Sequence, residues 1–246
     1  MNHLLGHGVK RPASAILRVV RVCGELLRVG PDAAGAPSED SWGRARCGEL
    51  RSLTLSRVAN TIAAVHGVIF ASFVDYVAAR HGSDVASEIL SDQPVFLLSE
   101  AYEDERLLAL INRASELTGI PESELVHQVG VFTAQQTFAR LYPAFFAVAG
   151  GTRPFLLSVE AFIHELVRAT IPNASPPRLH VQPLGDDGVT INYTSSRRLC
   201  ALLAGLVEGT ARHYGEEVEV DQTDCMLRDD PACVFEIRVS PGMLAA

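Results

Sequence analysis

The stretch RLHVQPLGDDGVTINYTSSR, residues 178–197, is the strongest indication of fold class in this sequence. Apolar and polar residues alternate on both sides of GDDG, a pattern that predicts two antiparallel strands joined by a tight turn. From residue 65 up to this hairpin the chain instead has the apolar spacing of helices, and a further helix and two strands come after it. We therefore expect an α+β fold: an N-terminal helical subdomain followed by a C-terminal antiparallel sheet with helices.

Five segments carry the helical pattern, in which apolar side chains recur every three or four residues and glycine or proline marks most ends. They are VIFASFVDYVAARHG, DERLLALINRASELTG, IPESELVHQVGVFTAQQTFARLY, RPFLLSVEAFIHELVRATI and RRLCALLAGLVEGTARHYG. The fourth is expected to be one long helix that Pro172 ends. The two closing strands are expected in EVEVDQTDCMLRDDPACVFEIRVS.

Tyr193, Ser195 and Arg197 stand at alternate positions where the hairpin ends. Alternate residues of an extended chain project to one face, so these three side chains are expected together. Two hydroxyls and a planar guanidinium favour an anion, most naturally a carboxylate. The alternative is an ordinary strand end at which Ser195 or Ser196 caps the next helix.

His164 lies in EAFIHELV, almost opposite the apolar stripe of Phe155, Val159, Phe162 and Leu166. Periodicity alone favours a solvent-facing histidine at such a position. The functional alternative is a single axial ligand to haem iron, which needs only one imidazole.

Cys200, Cys225 and Cys233 crowd into the last quarter of the chain. Three thiolates from neighbouring elements suit Zn²⁺, which normally takes a fourth donor. A disulfide between Cys225 and Cys233 is the competing interpretation, and simple burial is the third.

Charge and composition exclude several classes of function. Residues 65–246 hold 12 arginines, no lysine and 24 acidic residues, a net charge of −12 that would repel nucleic acid. No apolar run is long enough to span a membrane. Five cysteines, an odd number, favour a reducing compartment, so we expect a cytoplasmic protein. We see no catalytic constellation and expect no enzyme activity.

Taken together, the segments resemble the haem nitric oxide/oxygen-binding (H-NOX) family over residues 65–239. HGVIF resembles the start of the family's domain, and VEAFIHELVRATIPNASPPRL resembles its proximal helix, in which the histidine lies twelve residues before a proline pair. YTSSR matches the family's Y-x-S-x-R motif, and LAGLVEG resembles the helix that follows that motif. The resemblance implies haem b as the cofactor, with His164 as the proximal ligand to the iron. It also implies that Tyr193, Ser195 and Arg197 hold the haem propionates and that Pro177 presses on the porphyrin.

The resemblance also identifies the residues that select the gas. Oxygen-binding members of the family have a distal tyrosine at the position of Leu202, and the other residues expected there, Ile69, Phe73 and Phe132, are apolar. Bound O₂ needs a hydrogen-bond donor, whereas NO and CO do not. We therefore expect a sensor of NO and CO that excludes O₂ and signals by release of His164. By resemblance its partner in trans is a histidine kinase or a cyclic-di-GMP enzyme.

Two other functions stay open. The three cysteines resemble a zinc site found in part of the family, but the family's fourth ligand, a histidine, is Gln222 here. Two interpretations are consistent with these three cysteines and Gln222: a zinc ion on a Cys₃ site that another group completes, and a thiol cluster that is switched by oxidation. Either one would allow a thiol or zinc redox sensor. The closing strands also resemble non-haem small-molecule-binding domains of the vinyl-reductase type.

Residues 1–64 have no counterpart in the resemblance. They are rich in arginine and contain the Gly/Pro/Ser-rich stretch GPDAAGAPSEDSWG, so we expect a disordered extension or a start site assigned too early. Val65 stands where family members have their initiator methionine, and translation from Val65 is the expectation. The H-NOX domain is then expected over residues 65–240, followed by a tail at 241–246.

Overall fold

A computed structural model describes residues 19–22, 25–28 and 64–242 of the chain. The chain divides into two compact units, residues 1–57 and residues 58–246. In the first unit, strands β1 (Val19–Val22) and β2 (Glu25–Arg28) pair antiparallel.

The two sequence predictions for the ends of the chain stay predictions. Apart from β1, β2 and Ala64, the residues of the predicted extension lie outside the described residues. The same is true of residues 243–246 of the predicted tail, and the choice of start site is equally untested.

The first half of the second unit is helical, with one short pair of strands. Its elements in chain order are β3 (Ala64–His66), α1 (Gly67–His81), α2 (Ser83–Ile89), β4 (Ala101–Glu103), α3 (Asp104–Thr118), α4 (Glu122–Phe132), a first π-helix (Thr133–Phe138), α5 (Ala139–Leu141) and α6 (Pro143–Ala149). Strands β3 and β4 pair antiparallel. At three residues each they are too short to show an alternating pattern, and the sequence did not predict them.

The second half contains the predicted sheet. Its elements are α7 (Thr152–Ser158), a second π-helix (Val159–His164), α8 (Glu165–Thr170), β5 (Arg178–Leu184), β6 (Gly188–Thr194), α9 (Cys200–Tyr214), β7 (Glu216–Asp224), a short 3₁₀ turn (Met226–Arg228) and β8 (Cys233–Pro241). The strand order is β5-β6-β8-β7, and every neighbouring pair is antiparallel. The hairpin around GDDG and the α+β class are confirmed.

Each half has its own apolar core. In the helical half, α1 and α3 bury residues at helical spacing, among them Phe70, Phe73, Val77 and Leu110. Gly119 ends α3 with φ 72°, a left-handed conformation that glycine adopts without the cost of a Cβ atom. In the second half, α9 covers the inner face of the sheet; the buried residues there include Val189, Ile191, Val207, Phe235 and Ile237.

Helix α4 of the helical half and helix α9 of the second half pack with their backbones in contact, because each has a glycine at the contact. A Cβ atom on Gly205 would lie 2.0 Å from the carbonyl oxygen of His127, and one on Gly130 would lie 2.5 Å from that of Leu202. Any larger residue at either position would push the helices apart. This contact fixes the position of Leu202 relative to the helical core.

The predicted long helix before the hairpin is confirmed as one continuous helical segment, Thr152–Thr170, which ends before Pro172, but its middle is the second π-helix. A π-turn accommodates an extra residue and rotates the following side chains about the helix axis. As a result, Phe162 is 63% exposed and Leu166 49% exposed, although both were placed on the buried stripe. The side chain of His164, by contrast, is only 16% exposed.

Within the described residues, no single helix is long and apolar enough to cross a membrane. The stretches Pro143–Ala149 and Thr152–Thr170 pass that test only when taken together, and they are bent by 115° at the break between them.

Candidate functional site

A cavity of about 410 Å³ lies between the helical half and the sheet of the second unit. Its wall is mostly apolar and is formed by α1, the segment 138–146, the second π-helix, α8, the Pro-Pro segment, β6 and α9. The sequence-predicted residues that line it are Ile69, His164, Pro177, Tyr193, Ser195, Arg197 and Leu202. Residues far apart in the sequence are thus brought to one site.

His164 is the last residue of the second π-helix and lines this cavity. Its side chain is only 16% exposed, so the solvent-facing interpretation is wrong. Burial lowers the pKa of His164 below its ordinary value, and the neighbouring Glu160 carboxylate opposes that change. A histidine kept neutral by burial retains the ring lone pair that metal ligation requires.

Glu160 is a site residue that the sequence reasoning missed. Its Oε2 atom lies 2.9 Å from Nδ1 of His164 and accepts a 3.1 Å hydrogen bond from the backbone N–H of Leu179. Its other oxygen contacts the guanidinium of Arg168. The spacing of four residues between Glu160 and His164 was the available signal, because residues at that spacing are neighbours on a helix.

The side chain of Arg197 lines the cavity and is 7% exposed, so its guanidinium is mostly buried. Its Nε donates to Oδ1 of Asp104 at 2.7 Å, and its Nη1 donates to the carbonyl oxygen of Ser175 at 2.6 Å. Its Nη2 is buried and has no hydrogen-bond partner within the described part of the chain. A buried guanidinium nitrogen without an acceptor is costly, which points to an anionic group that completes the set.

Tyr193 and Ser195 are both buried beside Arg197, as the alternating pattern predicted. Burial raises the pKa of Tyr193 to about 12, so its hydroxyl remains a hydrogen-bond donor at neutral pH. The Ser195 hydroxyl accepts a 3.3 Å bond from the backbone N–H of Arg197. It does not cap α9, which begins at Cys200 without a side-chain cap.

Pro177 lines the cavity together with Pro176, immediately before β5. The segment is anchored on the helical half, because the backbone N–H of Ser175 donates to the carbonyl oxygen of Ala64 at 2.9 Å. The proline pair is therefore held at the cavity wall between His164 and the start of the sheet.

Ile69 and Leu202 form an apolar part of the wall, but Phe73 and Phe132 do not line the cavity. The expectation for these two phenylalanines is wrong for a geometric reason. Phe73 faces the helical core, where it is 1% exposed. Phe132 packs its ring edge-on against Tyr76 at a centroid distance of 5.8 Å.

Tyr142 lines the cavity and was also missed. It follows α5 directly, and its ring packs against Phe138 and Phe145 at centroid distances of 5.9 and 6.2 Å. Burial raises the pKa of Tyr142 above its ordinary value, so its hydroxyl remains a hydrogen-bond donor at neutral pH. In the sequence it stands inside the apolar run LYPAFFAVAGG, which gave no sign of a polar role.

The three cysteines form a separate buried cluster beside the sheet. Their sulfur atoms all lie within 4.8 Å of one another, and Sγ of Cys200 is 3.8 Å from Sγ of Cys225. Burial raises the pKa of Cys233 to about 11. Burial also acts to raise the pKa of Cys225, but the backbone N–H of Leu227 and the neighbouring thiols outweigh it and lower that pKa.

No fourth metal ligand from a His, Cys, Asp or Glu side chain joins this cluster among the described residues. Gln222 donates through Nε2 to the carbonyl oxygen of Asp224, and Asp230 accepts from the backbone N–H of Cys225. Gln222 also hydrogen-bonds the Cys200 thiol and so lies beside the cluster, whereas Asp230 is engaged by the backbone. The donor set offers Zn²⁺ three thiols, one fewer than a closed structural site uses.

Solved structures of similar fold are H-NOX proteins. An H-NOX protein from S. oneidensis in the Fe(II)NO ligation state matches with a TM-score of 0.67 and 22% identity, covering 72% of this chain and 99% of that chain. The unliganded Fe(II) H-NOX protein from K. algicida matches with a TM-score of 0.63 and 22% identity, covering 74% of this chain and 100% of that chain. At this identity the likeness establishes the fold, which is that of an H-NOX domain.

The family model for haem-NO-binding domains (HNOB) matches residues 66–222, more than half of the chain. The chain therefore belongs to the haem-NO-binding, or H-NOX, family of haem-based gas sensors. A curated relative, soluble guanylate cyclase gcy-31 from Caenorhabditis elegans, is 24% identical over 158 residues, which are 63% of this chain. The chain spans 22% of the length of that cyclase.

Proposed function

We propose that this chain is a haem-based sensor of NO, and also of CO, that excludes O₂ and signals to a separate protein without catalysis of its own. One observation carries the proposal: the same largely apolar cavity holds His164 and a buried nitrogen of Arg197 that has no hydrogen-bond partner in the part of the chain that the structure describes. Haem has the matching chemistry, because it combines an apolar macrocycle, an iron that needs an axial ligand and two anionic propionates.

The residues present fit haem b. His164 would supply the axial imidazole, and Arg197 would complete its hydrogen bonding on a propionate carboxylate, with the hydroxyls of Tyr193 and Ser195 beside it. Pro177 would contact the macrocycle from the wall that leads into β5. When bound, haem supplies an iron that takes up a diatomic gas.

Selection of the gas is proposed to depend on the wall around Leu202. Leucine at this position and Ile69 on α1 offer no hydrogen bond, so a ligand that needs a donor is disfavoured there. The hydroxyl of Tyr142 supports the second candidate, an O₂-binding sensor, because it is a donor that lines the same cavity. We favour NO and CO because Leu202 stands where the distal tyrosine of oxygen-binding relatives is expected.

The output is proposed to leave through the helix that carries His164. No residue of Val159–Thr170 is fully buried, so this segment is held by fewer apolar contacts than α9 is. Loss of the His164–iron bond would therefore displace this segment before it displaced the opposite wall. A histidine kinase or a cyclic-di-GMP enzyme in the cytoplasm is the proposed receiver.

The test is an absorption spectrum of the haem-loaded, reduced protein, taken first under air and then with NO. We expect no change in air and a clear change with NO. The variant His164→Gly should lose the wild-type spectrum and regain it when free imidazole is added, whereas His180→Gly, at an exposed histidine, should not change it. Failure of the wild-type protein to retain haem would instead favour a non-haem small-molecule-binding domain.

A thiol or zinc redox sensor is a third candidate because of the clustered sulfur atoms of Cys200, Cys225 and Cys233. Metal analysis of freshly purified protein separates its two forms. About one zinc ion per chain would support a Cys₃ site completed by a group from outside the cluster. A content near zero would leave a thiol cluster that reacts with oxidants.

A further inference from the structure

Glu160 and His164 face each other across one turn of the second π-helix. The carboxylate oxygen Oε2 lies 2.9 Å from Nδ1 of the imidazole, and both side chains are largely withdrawn from solvent. A hydrogen bond in such surroundings is stronger than one at the surface, because water does not compete for either partner.

Glu160 also connects this helix to the sheet. The same Oε2 atom accepts from the backbone N–H of Leu179 at 3.1 Å, and Leu179 lies in β5, two residues after Pro177. The other carboxylate oxygen contacts the guanidinium of Arg168. One side chain thus holds the histidine, an arginine of α8 and the strand that follows the proline pair.

We infer that Glu160 is a positioning residue that holds His164 as the Nδ1–H tautomer, leaves Nε2 free to bind iron and resists the release of His164 when gas binds. The inference rests on the proposed function for its second part, because only a haem-loaded chain has a His164–iron bond. Its first part concerns the ligand-free chain alone.

The chemistry of the two groups leads to this assignment. An ionised carboxylate has no proton to donate, so the ring nitrogen that faces it must carry the hydrogen. A neutral imidazole has one N–H, and Nε2 then keeps its lone pair. A carboxylate that accepts from the distant nitrogen of a ligating histidine also raises the basicity of the ligand and fixes the ring orientation.

Consequently, the strength of the iron–histidine bond depends on Glu160. Replacing Glu160 with glutamine preserves shape but removes the charge, and the amide can donate to Nδ1 as well as accept from it. Glu165 provides the matched control. Its carboxylate contacts Arg168 and Arg178, as that of Glu160 does, but Glu165 is 60% exposed and its carboxylate does not act on the His164 imidazole.

The first test is the tautomer of His164 in the ligand-free protein, read from ¹⁵N–¹H correlation spectra of the imidazole ring and assigned with His164→Ala. We expect the Nδ1–H tautomer in the wild-type protein and in Glu165→Gln, and a mixture of tautomers in Glu160→Gln. An Nε2–H tautomer in the wild-type protein overturns the inference, and this result does not depend on whether Glu160→Gln folds.

The second test uses the reduced, haem-loaded protein. In Glu160→Gln we expect the iron–histidine stretching band in the Raman spectrum to move to lower frequency. The ratio of molecules without to molecules with this bond after NO is added should rise about tenfold, the lower end of what loss of such a partner costs. Glu165→Gln should match the wild-type protein in both readings.

The outcomes separate the two proposals. If neither the wild-type protein nor any variant retains haem, the proposed function fails. The tautomer measurement then still decides the assignment of Glu160. If haem is retained and the Raman band of Glu160→Gln is unchanged, the proposed function stands and the role of Glu160 in holding His164 on the iron is refuted.

Discussion

Arg197 and Asp104 are 93 residues apart in the sequence, yet the guanidinium Nε donates to the carboxylate Oδ1 over 2.7 Å. Asp104 is the first residue of α3, so this ion pair ties the helical half to the end of the hairpin. Asp104 already accepts from Nε of the guanidinium. A haem propionate would therefore bind chiefly to Nη2, which has no partner among the described residues.

Replacing Arg197 with lysine should weaken the hold on haem. A lysine keeps the charge but lacks the planar fork that can serve Asp104, Ser175 and a propionate together. Haem should dissociate about tenfold faster from Arg197→Lys, the effect of losing one charge-assisted hydrogen bond. The rate is measured by transfer to an excess of a haem-scavenging apoprotein. Arg198→Lys, at the exposed neighbouring position, is the control; equal rates in both variants would argue against the propionate assignment.

A tyrosine in place of Leu202 should allow stable binding of O₂. The new hydroxyl would lie on the wall that is apolar in the native chain and would donate to the polarised ligand. Air should then change the absorption spectrum of the reduced protein. Tyr142→Phe serves as the reverse experiment: if the unaltered protein already responds to air and this variant does not, the donor that selects the gas is Tyr142.

His66 should make the stability of the domain depend on pH. Its Nδ1 accepts from the backbone N–H of Val68 and caps α1, and burial lowers its pKa from the ordinary value of 6.5. Because the folded state binds this proton less readily than the unfolded chain does, the stability is fully present above 6.5 and is lost as the pH falls through 6.5 towards the lowered pKa.

The variant His66→Asn isolates this contribution. Asparagine caps a helix start through its side-chain oxygen and does not titrate. The fall in the free energy of unfolding between about pH 7.5 and about pH 5, measured with urea, should be smaller in His66→Asn than in the native protein. The exposed His180→Asn is the control. An unchanged pH dependence in His66→Asn would mean that this cap does not titrate within the range.

Replacing Gly205 with alanine should destabilise the domain although alanine is the better helix former. The added Cβ atom would lie 2.0 Å from the carbonyl oxygen of His127, so α4 and α9 must separate. We expect a loss of about 1–3 kcal/mol in the free energy of unfolding, as for other overpacked contacts. Gly151→Ala is the control, since its nearest contact is an ordinary 3.5 Å. A gain in stability for Gly205→Ala would contradict the close packing of these helices.

Mild oxidation should join Cys200 to Cys225. Their sulfur atoms are 3.8 Å apart, and the pKa of Cys225 is lowered, so its thiolate is the better nucleophile. Diamide would accept the two hydrogens as the S–S bond forms. Peptide mapping by mass spectrometry identifies the pair, and Cys233→Ser should still form it. Formation of the Cys225–Cys233 pair instead would support the disulfide considered from the sequence.

Local sequence patterns predicted the parts of the fold that depend on neighbours along the chain. The hairpin around GDDG, the end of α3 at Gly119 and the shared face of Tyr193 and Ser195 follow from turn chemistry and from the two-residue period of a strand. The resemblance added His164 and Pro177, which the structure also brings to the cavity.

The misses arise where the backbone leaves its regular period or where distant residues meet. The second π-helix rotates Phe162 outward, and no periodic pattern signals where such a turn occurs. Phe73 has the same apolar character whether it lines a cavity or fills the core next to it. The pairing of Arg197 with Asp104 depends on tertiary structure alone.

The close approach of α4 and α9 at Gly130 and Gly205 makes the cavity mechanically asymmetric. The wall that carries Leu202 is fixed, because backbone contacts backbone there and neither helix can slide past the other without a clash. The opposite wall, Val159–Thr170, is tied to the sheet through the Glu160 side chain instead of by backbone packing, and it presents Phe162 to the solvent. Strain that develops inside the cavity would therefore move this wall before the other, and under the proposed function its outer surface is where a second protein would detect that movement.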